Sequence, residues 1–148
     1  LSAKELADWV VSNRLSVDHW FTVDDLNYLK RGGRLSATSA ALGTMLDLKP
    51  IIVISKDGKL TSADKVRGRK KALSYVVEKT AENIEDVEGQ EVIILNADCA
   101  EDAQRLDEML KAKVPGIRTR IENVGPVIGA HCGPGTVAIC FLGKERPI

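Results

Sequence analysis

The residues best suited to chemistry fall in three short stretches. Residues 30–39, KRGGRLSATS, pack three cations, two adjacent glycines and three hydroxyl side chains into ten positions. Arg34, followed by Ser36 and Thr38 where a helix should begin, offers a guanidinium, hydroxyls and free backbone amides to an anion. The same Ser36, Thr38 and Ser39 would serve equally as an N-cap and small packing residues. Residues 125–139, GPVIGAHCGPGTVAI, hold four glycines and one histidine. Glycines such as Gly133 let a backbone approach a ligand closely, and His131 can donate or accept a proton. Tight turns and a packed histidine account for those residues as well. The third stretch, VRGRKK at 66–71, places Arg67 and Arg69 beside two lysines.

Several chemistries are poorly supported. Neither glycine-rich stretch matches GxxxxGK[ST] or GxGxxG, which weakens a nucleotide-phosphate loop. His131 and Cys132 are adjacent, and in the extended segment expected there they point opposite ways, a poor nucleophile–base pair. No GxSxG elbow or carboxylate orienter accompanies them, so no catalytic residue is assigned. Nucleic acid is disfavoured because aromatics are only 4% of the chain, and Tyr75 alone lies close to the basic run. Cys99, Cys132 and Cys140 are odd in number and without CxxC or Cys/His ligand spacing. They suggest neither a disulfide framework nor a metal, and suit a reducing cytoplasm. No stretch is long and apolar enough to span a membrane, and no signal peptide is visible.

The 148 residues fit one domain, with 21 basic and 21 acidic side chains cancelling to zero. The balance is local: residues 27–71 carry a net charge of +8, and residues 72–113 a net of −7. This asymmetry marks either an acidic-partner surface or two solvated faces. Ser2 and Glu5 have capping-box spacing, with Leu1 and Leu6 placed for a hydrophobic staple. Residues 16–23 read as a strand, and Thr22 with Asp25 as a second capping box before a short helix that Gly32 or Gly33 ends. Ser36 starts the next helix. IIVIS is a buried strand, KDGK a type I′ hairpin turn, and EVIILNA a second buried strand. Leu73, Val76, Val77, Thr80 and Ile84 recur at helical spacing, as do Leu106, Met109 and Leu110 after a cap at Asp98 and Glu101. IRTRIENV alternates as a half-exposed strand. A glycine-rich turn then leads to a final buried strand, TVAICFLG. Strands alternating with helices, plus a hairpin, make the class α/β or α+β.

Four segments taken together resemble the second half of the DegV family. They are FTVDDLNYLKRGGRLSATSAALGTMLDLKPII, GKL with KVRGRKKAL, NADCAEDAQRL and GPVIGAHCGPGTVAICFLG, in the family's order from Phe21 to Gly143. The resemblance implies a bacterial, cytoplasmic, non-enzymatic protein of two α/β domains that binds a long-chain fatty acid without a cofactor. Residues 1–148 would be the C-terminal domain, a two-layer unit with a mixed, roughly six-stranded sheet related to dihydroxyacetone kinase. It would close the cleft over the acid and help present its carboxylate to a separate acyl kinase. By the same resemblance His131 would complete the hydrogen-bond network around the head group, and Arg34, Arg67 and Arg69 would lie on the surface facing the head group and the kinase, Arg67 and Arg69 as docking residues. Ser36, Thr38 and Gly133 are candidates for the same anion from their own chemistry, hydroxyls and amides at a helix start and a close backbone approach. The N-terminal domain, with its carboxylate-binding Ser and Thr and most of the acyl pocket, would be absent. Cys132 stands where the family more often has Thr, which puts a hydroxyl contact there in doubt. Two alternatives are a phosphotransfer subunit using His131 and a ligand-free interaction module.

Overall fold

A computed structural model describes residues 1–34 and 47–146. Ser36, Thr38, Ser39 and most of the helix expected after them lie outside the described residues. The elements are α1 (Ala3–Asn13), β1 (Val17–Thr22), α2 (Leu26–Arg31), β2 (Leu48–Ile54), β3 (Leu60–Arg67), α3 (Arg69–Asn83), β4 (Val92–Ala97), α4 (Ala100–Lys113), β5 (Thr119–Asn123), α5 (Pro126–Cys132) and β6 (Thr136–Leu142). The strands form one mixed sheet in the order β3-β2-β1-β6-β4-β5. Among the described strands only β4 and β5 pair in parallel, and α4 is the long crossover that a parallel connection requires. The expected mixed six-stranded architecture is therefore present.

Alternation along the strands divides two cores. On one face Trp20, Ile51, Val53, Ile94 and Ile139 meet Leu73 and Val76 of α3 and Leu106 and Leu110 of α4. Leu106 and Leu110 are fully buried, and each such side chain stabilises the fold by about 1.5–3 kcal/mol. On the opposite face Phe21, Val23 and Ile52 pack with Leu29 of α2 and Cys132 of α5. The Thr119 hydroxyl donates to buried Asp107, tying α4 to the edge strand β5.

The helical periodicities of α3 and α4 hold, and several local readings do not. The capping box of α1 forms, with the Glu5 amide donating to Ser2 Oγ at 3.3 Å and the Ser2 amide to Glu5 Oε2 at 2.6 Å. Leu1 is 92% exposed, so the staple with Leu6 is not made. No residue of α1 is buried. The cap of α2 is Asp25, whose side chain accepts from the Asn27 amide; Thr22 instead continues β1 and is wholly buried. Cys99 stands at the N-cap of α4, after an Asp98 with φ 52°, which leaves Glu101 and Asp102 in the first turn. In the hairpin Gly58 has φ 74° and Asp57 does not have positive φ. Type I′ needs it at both central residues, so this is a different turn, closed by Gly58 N–H to the Ser55 carbonyl at 2.9 Å.

Candidate functional site

The two glycine-bearing stretches singled out in the sequence meet in space. Helix α2 ends at Gly32, and Gly33 follows in the left-handed region at φ 68°. The Gly33 amide donates to the Lys30 carbonyl at 3.0 Å and the Arg34 amide to the Leu29 carbonyl at 2.9 Å. That pair of bonds is a Schellman motif, which satisfies the last carbonyls of the helix. The double glycine thus stops α2 and fixes where Arg34 emerges. Arg34 is exposed, and its Nη1 donates to the Gly32 carbonyl at 2.6 Å.

Residues 126–132, expected as a turn, form the short helix α5 with Pro126 in its first turn and His131 in its last. Pro suits a first helical turn, where its missing N–H is not needed. His131 and Cys132 are therefore successive helical residues and do not point opposite ways as in an extended segment. Cys132 enters the second core, while half-buried His131 lies against Gly32, where any Cβ would collide with its imidazole. Gly133 follows at φ 80°, ψ 170°, with the Tyr28 ring where its Cβ would be. Gly32 and Gly133 thus let α2 and α5 close on one another, and Arg34 and His131 come to touch the same residue, Gly32. Tyr28 was not singled out in the sequence; lone aromatics in a short helix carry no spacing signal.

The two arginines predicted for docking part company. Arg67 ends β3, is exposed, and makes no ion pair among the described residues. Arg69 opens α3, and its Nε donates to Asp102 at 2.8 Å and its Nη2 to the Gly135 carbonyl at 2.6 Å. The Arg69 and Asp102 side chains are only 21% and 19% exposed. Arg69 therefore clamps α3, α4 and the loop after α5 together. Past the carboxyl end of β4 run two adjoining depressions of about 450 and 440 Å³, the second of them lined by Arg69. They share Asp98, Cys99 and Asp102, and reach Asp24 and Pro134 beside the α5 loop. Ligands of α/β sheets commonly sit outside such strand ends, a signal the β–α–β pattern at 92–123 carried.

On the sheet face that α2 and α5 partly cover, the next row of side chains is only half buried. It runs through His19, Cys140 and Ile93, which are cross-strand partners. Burial, and then the charge of Arg146, lowers the His19 pKa, and among the described residues buried His19 Nδ1 has no hydrogen-bond partner. Burial pushes all three thiols up, Cys140 to about 11. None is primed as a nucleophile, since the thiolate is the reactive form. Among the described residues no three His, Cys, Asp or Glu side chains gather to hold a metal, and no helix is long and apolar enough to cross a membrane.

Comparison with known proteins agrees with this architecture. The profile of the family described as "Uncharacterised protein, DegV family" matches residues 1–144. A DegV domain-containing protein of Clostridium perfringens is 42% identical over 98% of this chain and 50% of its own length. The chain spans about half the length of the curated relatives it matches. Among solved structures, the crystal structure of DegV, a fatty acid binding protein from Bacillus subtilis, is 33% identical with a TM-score of 0.76, covering 97% of this chain and 50% of that one. The Streptococcus pneumoniae fatty acid kinase (Fak) B3 protein loaded with linoleic acid has a TM-score of 0.85 over 97% of this chain and 50% of its own, at 17% identity, and so shares the fold. The family profile, matching residues 1–144 of 148, shows that this chain belongs to the DegV family.

Proposed function

We propose that this chain is the C-terminal domain of a two-domain, non-catalytic protein that binds a long-chain fatty acid and presents its carboxylate to a separate acyl kinase. The observation that carries the reading is the convergence of Arg34 and His131 on Gly32, beside a half-buried row that includes Ile93 and Cys140. A guanidinium and an imidazole suit a carboxylate, and each methylene taken from water gains about 0.8 kcal/mol. Part of the acyl surface then lies in this half, rather than almost wholly in the preceding domain. The preceding domain covers the exposed apolar residues Val127 and Ile128 of α5 and Trp9 of α1. Ser36 and Thr38 keep their proposed head-group role, and Gly133 is assigned to positioning His131. Arg67 is the proposed kinase contact, while the bonds of Arg69 give it a structural share. Unpaired, high-pKa cysteines suit a bacterial cytoplasm.

Palmitate titrated calorimetrically into the full-length protein tests the reading. Losing one charge-assisted hydrogen bond costs about 1.5–3 kcal/mol, roughly 10- to 100-fold in affinity, for His131→Ala or Arg34→Ala. Absence of binding by the wild type, or both variants within twofold of it, contradicts the assignment. Arg67→Glu should lower kinase-coupled turnover and leave palmitate affinity unchanged; the reverse pattern would move Arg67 into the lipid site.

A further inference from the structure

Helices α3 and α4 sit on the sheet face opposite α2 and α5, so their outer surface is separate from the candidate lipid site. Between them runs a groove of about 560 Å³ lined by Arg69, Lys70, Leu73, Arg105, Glu108 and Met109. Leu73 and half-buried Met109 make an apolar floor. Two cations with free donors, Lys70 and Arg105, and one carboxylate, Glu108, form its rim, while Arg69 is already held by Asp102 and the Gly135 carbonyl. Lys70 is exposed and has no ion pair among the described residues. Arg105 is 64% exposed and reaches Asp102 only at 3.7 Å, leaving most of its donors to solvent.

The first turn of α3 carries Arg69, Lys70 and Lys71, no acidic residue, and no side-chain cap. Cations there oppose the helix dipole. Lys70 makes no hydrogen bond or ion pair among the described residues, which leaves its charge facing outward. Glu108 disfavours a bare polyanion, which it would repel, and the lining has no aromatic on which a base could stack. An apolar floor with a cationic rim and one acceptor fits helix-in-groove recognition of a protein segment.

We infer that the α3–α4 groove docks an acidic helical segment of a partner protein. One apolar side chain of that segment seats between Leu73 and Met109, its carboxylates meet Lys70 and Arg105, and a donor faces Glu108. The inference rests on the groove and not on the lipid reading, and its test contains no lipid-dependent step.

The probe is a capped, fluorescein-labelled 15-residue helical peptide with a central Leu, Glu three and four residues to either side, and one Lys placed for Glu108. Binding to the full-length protein is read by anisotropy and mapped by amide chemical shifts. Shifts should cluster on α3 and α4, and the Lys70→Glu/Arg105→Glu variant should weaken binding at least tenfold. Lys70→Glu places a carboxylate at the favourable end of α3, so loss of binding is not loss of fold; an unchanged urea midpoint checks this. Central Leu→Ser in the peptide should weaken binding at least fivefold. No binding at millimolar peptide, shifts on α2 and α5 instead, or equal binding by the reversed variant overturns the inference. Equal binding by polyglutamate reduces the groove to a charged patch and also overturns it.

Discussion

Replacing Gly133 by alanine should loosen the clasp that holds His131 beside Arg34, at a cost readable in stability. Gly133 sits at φ 80°, ψ 170°, a region used almost only by glycine, where a side chain costs about 1–3 kcal/mol. The added methyl also meets the Tyr28 ring, and overpacking of that kind costs about 1–3 kcal/mol more. The sum, about 2–6 kcal/mol, is a large part of the roughly 5–15 kcal/mol typical of a domain. Urea unfolding followed by fluorescence should show the midpoint fall in Gly133→Ala. In a Tyr28→Ala background the ring is gone, so Gly133→Ala should cost only the backbone part, leaving a coupling of about 1–3 kcal/mol. A Gly133→Ala protein within about 0.5 kcal/mol of wild type would refute the argument. So would equal costs in both backgrounds, because Tyr28 would then not be what fixes α5 against α2.

Other outcomes follow from the same contacts. Arg69→Ala should destabilise by about 2–3 kcal/mol, since it leaves half-buried Asp102 only the 3.7 Å contact with Arg105 and frees the Gly135 carbonyl, whereas Arg67→Ala should stay within about 0.5 kcal/mol; parallel urea titrations decide. The folded-state pKa of His19 lies below its usual value, so its neutral form contributes stability above pH 6.5 that is lost as pH falls through the folded pKa. His19→Gln should flatten the loss between pH 7 and pH 5, and an unchanged pH profile of the unfolding free energy would count against it. With its thiol at about 11, Cys140 should be alkylated by iodoacetamide slowly, the rate still rising about tenfold per pH unit between pH 8 and pH 10. A plateau below pH 9, seen by peptide-resolved mass spectrometry, would contradict that burial.

Long periodic elements were legible in the chain because their burial pattern is local. Leu73, Val76, Val77 and Thr80 are buried along α3, and Leu106 and Leu110 along α4, as their spacing predicts. Helix α5 was not legible. Its seven residues include Gly129 and are flanked by Gly125 and Gly133, the composition of a turn, and it is held largely by packing against α2. Thr22 and Asp25 both have cap-type side chains; the burial that keeps Thr22 in β1 depends on β2 and β6, distant in sequence. Arg67 and Arg69 look alike in VRGRKK, yet Gly68 at φ 90° turns the chain between them. The partner that occupies Arg69, Asp102, lies 33 positions away. Arg34 and His131 were each visible as candidates from their own stretches. Their meeting on Gly32 joins segments about a hundred residues apart, which no local pattern encodes.

The reading proposed above stands or falls on a long-chain fatty acid being the ligand of the full-length protein. Native mass spectrometry of the full-length protein, purified without added lipid, measures it directly. The account predicts a complex heavier than the bare protein by one long-chain fatty acid, released intact on activation. A clean apo mass that stays unchanged on titration with palmitate would contradict it.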